Sequence, residues 1–310
     1  MKVFSGTSNR PLAELICKRL NVKLGDLYLH AFPSGERYCQ YKENVRGEDV
    51  FLIQTGSNPV NDNLMELLIM ADAARRASAK RITAVIPSFF YQRQDRKDKS
   101  RVPISAKLVM NMLESAGINR ILTMDLHAVQ IQGFTDLPVD NLNFKQTFFK
   151  TPLNINFDVI VSPDMGGIKR AQEYSDFSGK EIVIINKQRV DDTTTIVKNF
   201  IGDVNDKNVL LVDDLTESVT TLIEAAKACK NRGAKEIYAV VTHGLFSKKG
   251  IENILKFVGK NDYLINQFMY SNTTEHHYQW SGLIEVDVSS IFAEAITRIN
   301  KNQSVTELFK

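Results

Sequence analysis

Short apolar runs alternate with helix-forming patterns along nearly the whole chain, and no other feature narrows the fold as much. Val50–Gln54, Arg81–Pro87, Ile121–Asp125, Asp158–Ser162, Ile182–Ile185, Val209–Asp213 and Ile237–Thr242 read as strands. Pro11–Leu20, Asn61–Ala77, Ile104–Ala116, Gly166–Tyr174, Thr220–Arg232 and Ser289–Asn300 read as helices. Such alternation predicts an α/β protein with parallel sheets covered by helices on both faces. Ala79-Lys-Arg-Ile-Thr-Ala-Val85 is echoed half a chain later by Ala234-Lys-Glu-Ile-Tyr-Ala-Val240. An echo at that spacing suggests two related α/β domains and not a solenoid, although Ala-Lys-x-Ile is also a common helix-to-strand junction. Asp140, Asn141, Asn143 and Pro152 interrupt the pattern, so the boundary is expected within Asn141–Leu153.

A hydrophobic content of 43% with 24% charged residues suits a soluble globular enzyme. The net charge of +3 is too small to argue for nucleic acid. Basic residues gather at Arg93–Arg101, however, which points to a polyanionic small molecule. Cys17, Cys39 and Cys229 lie far apart without CxxC spacing and read as reduced packing residues. With no secretory leader pattern at the first residues and no apolar run of about 20 residues, the expected location is cytoplasmic, with no membrane partner.

Val209-Leu-Leu-Val-Asp-Asp-Leu-Thr-Glu-Ser-Val-Thr-Thr221 says most about chemistry. An apolar run ends in two carboxylates, a hydroxyl-rich loop follows, and helical periodicity resumes at Leu222, Ala225, Ala226 and Ala228. Strand, loop and helix N-terminus in that order aim backbone N–H groups outward, and such turns bind phosphate. Asp213 and Asp214 suit sugar hydroxyls or a hydrated Mg²⁺. A plain βα turn capped by Ser and Thr accounts for the same residues without a ligand.

Seven further segments point one way: Phe32-Pro-Ser-Gly-Glu36, Asn61-Asp-Asn-Leu-Met-Glu66, Arg93-Gln-Asp-Arg-Lys-Asp-Lys-Ser-Arg101, Asp125-Leu-His127, Gln130-Ile-Gln-Gly-Phe134, Ser162-Pro-Asp-Met-Gly-Gly167 and Lys187-Gln-Arg189. In this order they resemble the ribose-phosphate pyrophosphokinases, and the likeness runs on to Ala293-Glu-Ala-Ile-Thr-Arg-Ile299. The resemblance implies two tandem phosphoribosyltransferase-like domains, each a mainly parallel sheet flanked by helices, over 1–141 and 142–310. It implies transfer of the β,γ-diphosphate of ATP to the anomeric hydroxyl of ribose 5-phosphate, with Mg²⁺ and release of AMP. It also implies small-molecule substrates and a homo-oligomer, dimer to hexamer.

The resemblance assigns ATP to Phe32, Ser34, Glu36, Arg93, Gln94, Asp98 and His127. Phe32 can stack on adenine, or it can be a core aromatic at a strand end. Arg93 offers a planar fork to phosphate oxygens, which Lys could not match. Gln94 adds a polar contact and Asp98 a water-mediated metal contact. Arg96, Lys97, Lys99 and Arg101 complete a basic active-site loop, although a charge run is usually only a solvated face. By the same resemblance His127 and Asp164 meet Mg²⁺, and Asp164, Asp213, Asp214, Glu217, Ser218, Thr220 and Thr221 hold the ribose phosphate. A lone His is more often structural, and only the Asp-Leu-His setting argues otherwise.

Lys187 and Arg189 match the family's catalytic pair. Two apart in an extended segment, they face the same side. There they would stabilise charge on the transferring diphosphate, where catalysis is mostly positioning and electrostatics. The polar Val190-Asp-Asp-Thr-Thr-Thr195 suits a mobile lid or a surface hairpin. Arg46, Gln132, Asp140 and Asn141 match positions around a regulatory phosphate or ADP site at subunit interfaces.

The chain departs from the family at three places. The family's ribose-5-phosphate loop reads Asp-Asp-x-x-Asp-Thr-Gly-Gly-Thr, whereas here Glu217, Ser218, Val219 and Thr220 replace the third Asp, the first Thr and both glycines. Gln92 stands where a small residue is usual, and Ser88 where Tyr is usual. Two β-branched residues remove backbone freedom and add bulk in the loop. The donor motifs and the Lys187/Arg189 pair are intact while the acceptor cradle is rebuilt. The expectation is therefore an acceptor extended at its 5′ end, such as ADP-ribose, as in the phage-type ADP-ribose pyrophosphate synthetases. Ribose 5-phosphate itself, a non-catalytic regulatory homologue and a phosphoribosyltransferase are the alternatives.

Overall fold

The computed structural model describes residues 1–189, 195–259 and 263–308, without the side chains of 187–189 and 195–199. The chain forms two compact units: Met1–Gln146 with Asn272–His276 and Asp287–Lys310, and Thr147–Ser271 with His277–Val286. The sequence-based division at residue 141 is linear. The folded one returns the C-terminal helix to the first unit.

In the first unit the elements run β1 (Lys2–Ser5), α1 (Arg10–Leu20), β2 (Leu27–Ala31), β3 (Arg37–Tyr41), β4 (Asp49–Ile53), α2 (Val60–Arg76), β5 (Arg81–Ile86), α3 (Ser105–Ala116), β6 (Arg120–Met124) and β7 (Val139–Leu142). Strands β1-β4-β5-β6-β7 form one sheet in that order, every pair parallel. Buried parallel strands need apolar side chains on both faces. Val50, Phe51, Leu52 and Ile53 of β4 and Ile82, Ala84, Val85 and Ile86 of β5 meet that need. Their regular apolar runs are why the sequence placed both strands within a residue of their observed ends. The short β1 and β7 and the antiparallel ribbon β2–β3 were not expected. In the ribbon the side chains alternate between half-buried and exposed, and Tyr28, Phe32 and Tyr38 stand out to solvent.

Helix α4 (Phe144–Lys150) follows, and the second unit then runs β8 (Val159–Ser162), α5 (Ile168–Ser178), β9 (Glu181–Arg189), β10 (Thr195–Ile201), β11 (Val209–Thr216), α6 (Thr220–Lys230), β12 (Ile237–Gly244), α7 (Lys248–Phe257), β13 (Gln267–Ser271) and β14 (Leu283–Val286). Its sheet order is β10-β9-β8-β11-β12-β13-β14, parallel except for β10 against β9. From β8 the chain moves outward on one side, and from β11 on the other. Those neighbours form a topological switch point, and ligands of open α/β sheets bind in the crevice at the carboxyl ends there.

The last helix, α8 (Ser289–Asn300), packs on α1 of the first unit. Arg19 fixes it, donating from Nε to Ser289 Oγ at 2.6 Å and from Nη2 to Asp287 Oδ2 at 2.8 Å. Arg81 Nη2 donates to the Ile299 carbonyl at 2.8 Å.

Candidate functional site

The first unit carries the residues that the resemblance assigns to the nucleotide donor, on loops leaving β5 and β6 and in the β2–β3 turn. Arg93, Gln94, Arg96, Lys97, Asp98, Lys99 and Arg101 are all exposed. Their loop is nevertheless anchored. Gln94 N–H donates to the Tyr91 carbonyl at 2.9 Å, and Ala106 N–H to the Gln94 carbonyl at 3.1 Å. Ser105 Oγ donates to Gln94 Oε1, and Tyr91 Oη to Asn61 Oδ1. Gln130 Nε2 donates to Asp95 Oδ2 at 3.2 Å, which ties this loop to the one after β6.

The β6 loop turns sharply at Asp125, whose φ is 39°. Two side-chain carbonyls then take successive backbone donors. Asn141 Oδ1 accepts from Leu126 N–H at 3.0 Å, and Gln92 Oε1 accepts from His127 N–H at 3.0 Å. His127 itself is exposed. Phe32 is 45% exposed at the tip of the β2–β3 ribbon, nearly perpendicular to the His30 ring with centroids 5.2 Å apart, so it is no core aromatic. Gly35, with φ 90°, lets the tip close, and Ser34 Oγ donates to Glu36 Oε2 at 2.9 Å.

The four residues matched to a regulatory site all make local bonds. Arg46 N–H donates to Asn44 Oδ1 at 2.9 Å, and Gln132 Nε2 to the Val129 carbonyl at 3.1 Å. Buried Asp140 pairs with Arg120 Nη1 at 2.5 Å. Asn141 holds the β6 loop, as above.

The second unit gathers the acids at its switch point. Asp164 leaves β8, and its Oδ1 accepts from Gly167 N–H at 3.0 Å. A Cβ on Gly167 would sit 2.9 Å from Ser162 Oγ, so this approach requires glycine. Strand β11 runs three residues beyond its expected end, because Leu215 and Thr216 pair with His243 and Gly244 of β12. Asp214 therefore joins Asp213 within the strand. Asp213 Oδ1 accepts from Asp214 N–H at 2.9 Å.

The Asp213 residue keeps some exposure, yet its carboxyl lies deep among protein atoms. Desolvation pushes its pKa well above the usual carboxylate range. Asp214, by charge and by hydrogen bond, and then Asp164 add to that rise, while Arg170 opposes it. Arg170 Nη2 lies 3.9 Å from Asp214 Oδ2. The sequence reading missed Arg170. The signal was a cation in the first turn of a helix, where the dipole favours acids.

The loop Glu217–Thr221 keeps a tight turn without its glycines. Val219 takes the left-handed conformation, φ 62° and ψ 0°, at the N-terminus of α6, and is fully buried in the unit's apolar core. A β-branched residue at positive φ is a genuine outlier. The loop is also clamped from outside. Glu217 carbonyl accepts from Ser247 N–H at 2.9 Å, and Ser218 carbonyl from Asn253 Nδ2 at 2.8 Å. A Cβ on Gly250 would meet the Glu217 carbonyl at 2.0 Å, so α7 approaches as closely as backbone allows. Thr216 Oγ1 accepts from Val219 N–H at 3.1 Å, and Ser218 Oγ from Thr220 N–H at 3.4 Å. Glu217, Thr220 and Thr221 are exposed. Ser247 and Asn253 lie outside any stretch that the sequence marked.

Lys187 and Arg189 fall on β9, which extends four residues past its expected end. Their side chains, and residues 190–194 of the expected lid, lie outside the described residues. Among the described residues no three His, Cys, Asp or Glu side chains converge on a metal position, and no helix is long and apolar enough to cross a membrane.

Basic and polar loops at the strand ends of one unit, and an acid-rich turn at the switch point of the other, define a class: α/β enzymes of the phosphoribosyltransferase-like fold that handle phosphate esters. A profile described as the N-terminal domain of ribose phosphate pyrophosphokinase matches residues 1–117, and one described as the phosphoribosyl synthetase-associated domain matches residues 183–310. The ribose-phosphate pyrophosphokinase of Thermotoga maritima is 46% identical over 315 residues, covering 100% of this chain and 98% of the relative. Ribose-phosphate pyrophosphokinase 2 of Schizosaccharomyces pombe is 44% identical over 317 residues, covering 100% and 97%. The crystal structure of phosphoribosylpyrophosphate synthetase from Mycobacterium smegmatis superimposes with a TM-score of 0.88 at 33% identity, covering 97% of this chain and 99% of that one.

The chain belongs to the ribose-phosphate pyrophosphokinase family, and it is an ATP-dependent diphosphotransferase of that type. The expectation of an ADP-ribose acceptor finds no support here, since these relatives are named for ribose phosphate. Its physical premise also fails at Val219, because the missing glycine has not cost the loop its left-handed turn.

Proposed function

We propose that the chain transfers the β,γ-diphosphate of ATP to the anomeric hydroxyl of ribose 5-phosphate and releases AMP. The observation that carries this reading is the placement of Asp164 just after β8 and of Asp213 and Asp214 on the neighbouring strand β11, at the switch point, beside a clamped turn at a helix N-terminus. Acids suit the ribose hydroxyls, and the turn suits the 5′-phosphate. In the first unit Phe32 would stack on adenine, with Ser34 and Glu36 beside it. Arg93, Gln94 and His127 would hold the phosphates, and Asp98 would act through water. Lys187 and Arg189 would meet charge on the diphosphate as it moves. Arg46, Gln132, Asp140 and Asn141 would line a regulatory phosphate or ADP site.

The donor set fits Mg²⁺. Burial first, and then the neighbouring Asp214 and Asp164, raise the pKa of Asp213 against the opposing charge of Arg170, a balance that a cation at these acids would shift, and hard carboxylate oxygens beside substrate phosphates are what this ion prefers over a closed protein cage. Asp164 would serve a bound Mg²⁺ in the second unit and His127 one in the first, and the ion would neutralise phosphate charge there. We also place the protein in the cytoplasm as a homo-oligomer working on small molecules.

The test incubates the protein with ATP and Mg²⁺ and either ribose 5-phosphate or ADP-ribose, with products resolved by mass. AMP and a diphosphorylated ribose phosphate are expected. ADP as the nucleotide product would overturn the diphosphotransfer, preference for ADP-ribose would overturn the acceptor, and no turnover with either would favour a regulatory homologue.

A further inference from the structure

Gln92 immediately precedes the exposed Arg93, yet it is itself only 3% exposed. A buried side-chain amide must find partners. Gln92 finds them on the other donor loop and beneath its own. Its Oε1 accepts from His127 N–H at 3.0 Å, and its Nε2 reaches Ser88 Oγ at 3.5 Å. A backbone N–H can only donate, so the orientation of the amide is set. Ser88 is fully buried, and its N–H donates to Thr55 Oγ1 at 3.1 Å. Thr55 Oγ1 in turn donates to the Thr273 carbonyl at 2.8 Å. Gln92 thus ends a chain of hydrogen bonds rooted inside the first unit.

The two loops it joins are irregular. Tyr91 has φ 53° and Asp125 has φ 39°, and neither is glycine. Such backbone persists only where its surroundings over-determine it. Leu126 N–H is held by Asn141 and His127 N–H by Gln92, so two side chains set successive peptides of the loop that presents His127. Gln92 and Ser88 are also the two donor-side departures from the family pattern, and they touch. A larger residue beside a smaller one keeps the local volume, the exchange that packed interiors tolerate best.

We propose that Gln92, seated on Ser88, is a positioning residue that locks the Arg93 arm to the His127 loop and so sets the geometry of both toward the phosphates of ATP. This rests on the assignment of Arg93 and His127 to ATP. A rigid link of this kind acts on the donor and leaves the acceptor loop alone.

Gln92→Leu keeps the volume and removes the amide. It should lower kcat/KM for ATP about tenfold, the scale of one hydrogen bond whose buried partner is left unsatisfied. KM for ribose 5-phosphate should stay within about twofold, and amide exchange in the 125–129 segment should quicken. Gln92→Ala should do the same, and Ser88→Tyr combined with Gln92→Ala, which restores the family pair, should recover most of the loss. If Gln92→Leu does not fold, that double variant against Gln92→Ala decides.

ATP kinetics unmoved in Gln92→Leu, or an equal shift in both substrates, would overturn the proposal. So would absence of rescue in the double variant. Arg93→Ala and His127→Ala separate the two levels. If they collapse ATP kinetics while Gln92→Leu does not, only the link falls. If they too change nothing, the donor assignment falls and the link with it.

Discussion

Val219 can be made to report its own strain. The residue is fully buried and left-handed, so two opposing effects act on any truncation. Val219→Ala removes two buried carbons at about 0.8 kcal/mol each, a loss of roughly 1.6 kcal/mol. Val219→Gly removes a third carbon, about 0.8 kcal/mol more, and adds about 0.5–1 kcal/mol of backbone entropy. At an ordinary buried position glycine would therefore fall about 1.5 kcal/mol below alanine. Here it also relieves the left-handed penalty of about 1–2 kcal/mol. The two variants should come out within about 0.5 kcal/mol of each other. Taking about 2–4 °C per kcal/mol, both should melt roughly 3–6 °C below the parent and within about 2 °C of one another. Calorimetry of the ligand-free protein with resolved transitions reads this directly. A glycine variant melting about 4 °C or more below the alanine variant would mean that no strain is relieved. The turn would then not be left-handed, and the argument that the rebuilt loop keeps the shape for a terminal phosphate would fail with it.

Three other outcomes follow from the site. Lys187→Ala and Arg189→Ala should each lower kcat roughly 10²–10³-fold with little change in ATP affinity, as removal of a transition-state stabiliser does; collapse of ATP binding at unchanged kcat would make them binding residues only. Asp213 has a raised pKa through burial and its acidic neighbours. Between the unfolded value of about 3.9 and the folded one, the native state holds a proton that the unfolded chain lacks, so stability falls as pH rises through that window. Asp213→Asn should therefore melt with the parent below about pH 4 and increasingly above it as pH rises, while losing activity; chelator-treated melts without a growing gap would contradict the shift. Asn253→Ala strips the Ser218 carbonyl of its side-chain donor and should raise KM for ribose 5-phosphate about five- to tenfold, with KM for ATP steady. Equal changes in both would point to general loosening of the unit.

The strands and helices that were legible in the sequence share one cause. β4, β5, β6, β8, β11 and β12 are buried on both faces, so each is written as an apolar run bounded by polar residues. The β2–β3 ribbon lacks that signature because one of its faces carries Tyr28, His30 and Tyr38 into solvent, so its periodicity resembles a polar loop. The return of α8 to the first unit was not legible, since it depends on Arg19 and Arg81 meeting partners more than two hundred residues away.

The site divides along the same line. The residues proposed to touch ligand announce themselves as acids, cations and a histidine at strand ends, and Asp164, Asp213 and His127 lie at or beside the C-terminal ends of their strands. Residues that hold those residues do not. Gln92, Asn141, Ser247 and Asn253 act through backbone donors and carbonyls of other loops, and nothing in their identity or spacing says which peptide they will meet. Val219 shows the sharper limit. Its identity predicted a backbone that could not turn as glycine does, yet the surrounding core buries its side chain completely and keeps the turn. A substitution within a motif changes the energy of a conformation before it changes the conformation, and only the packing around it decides which of the two is seen.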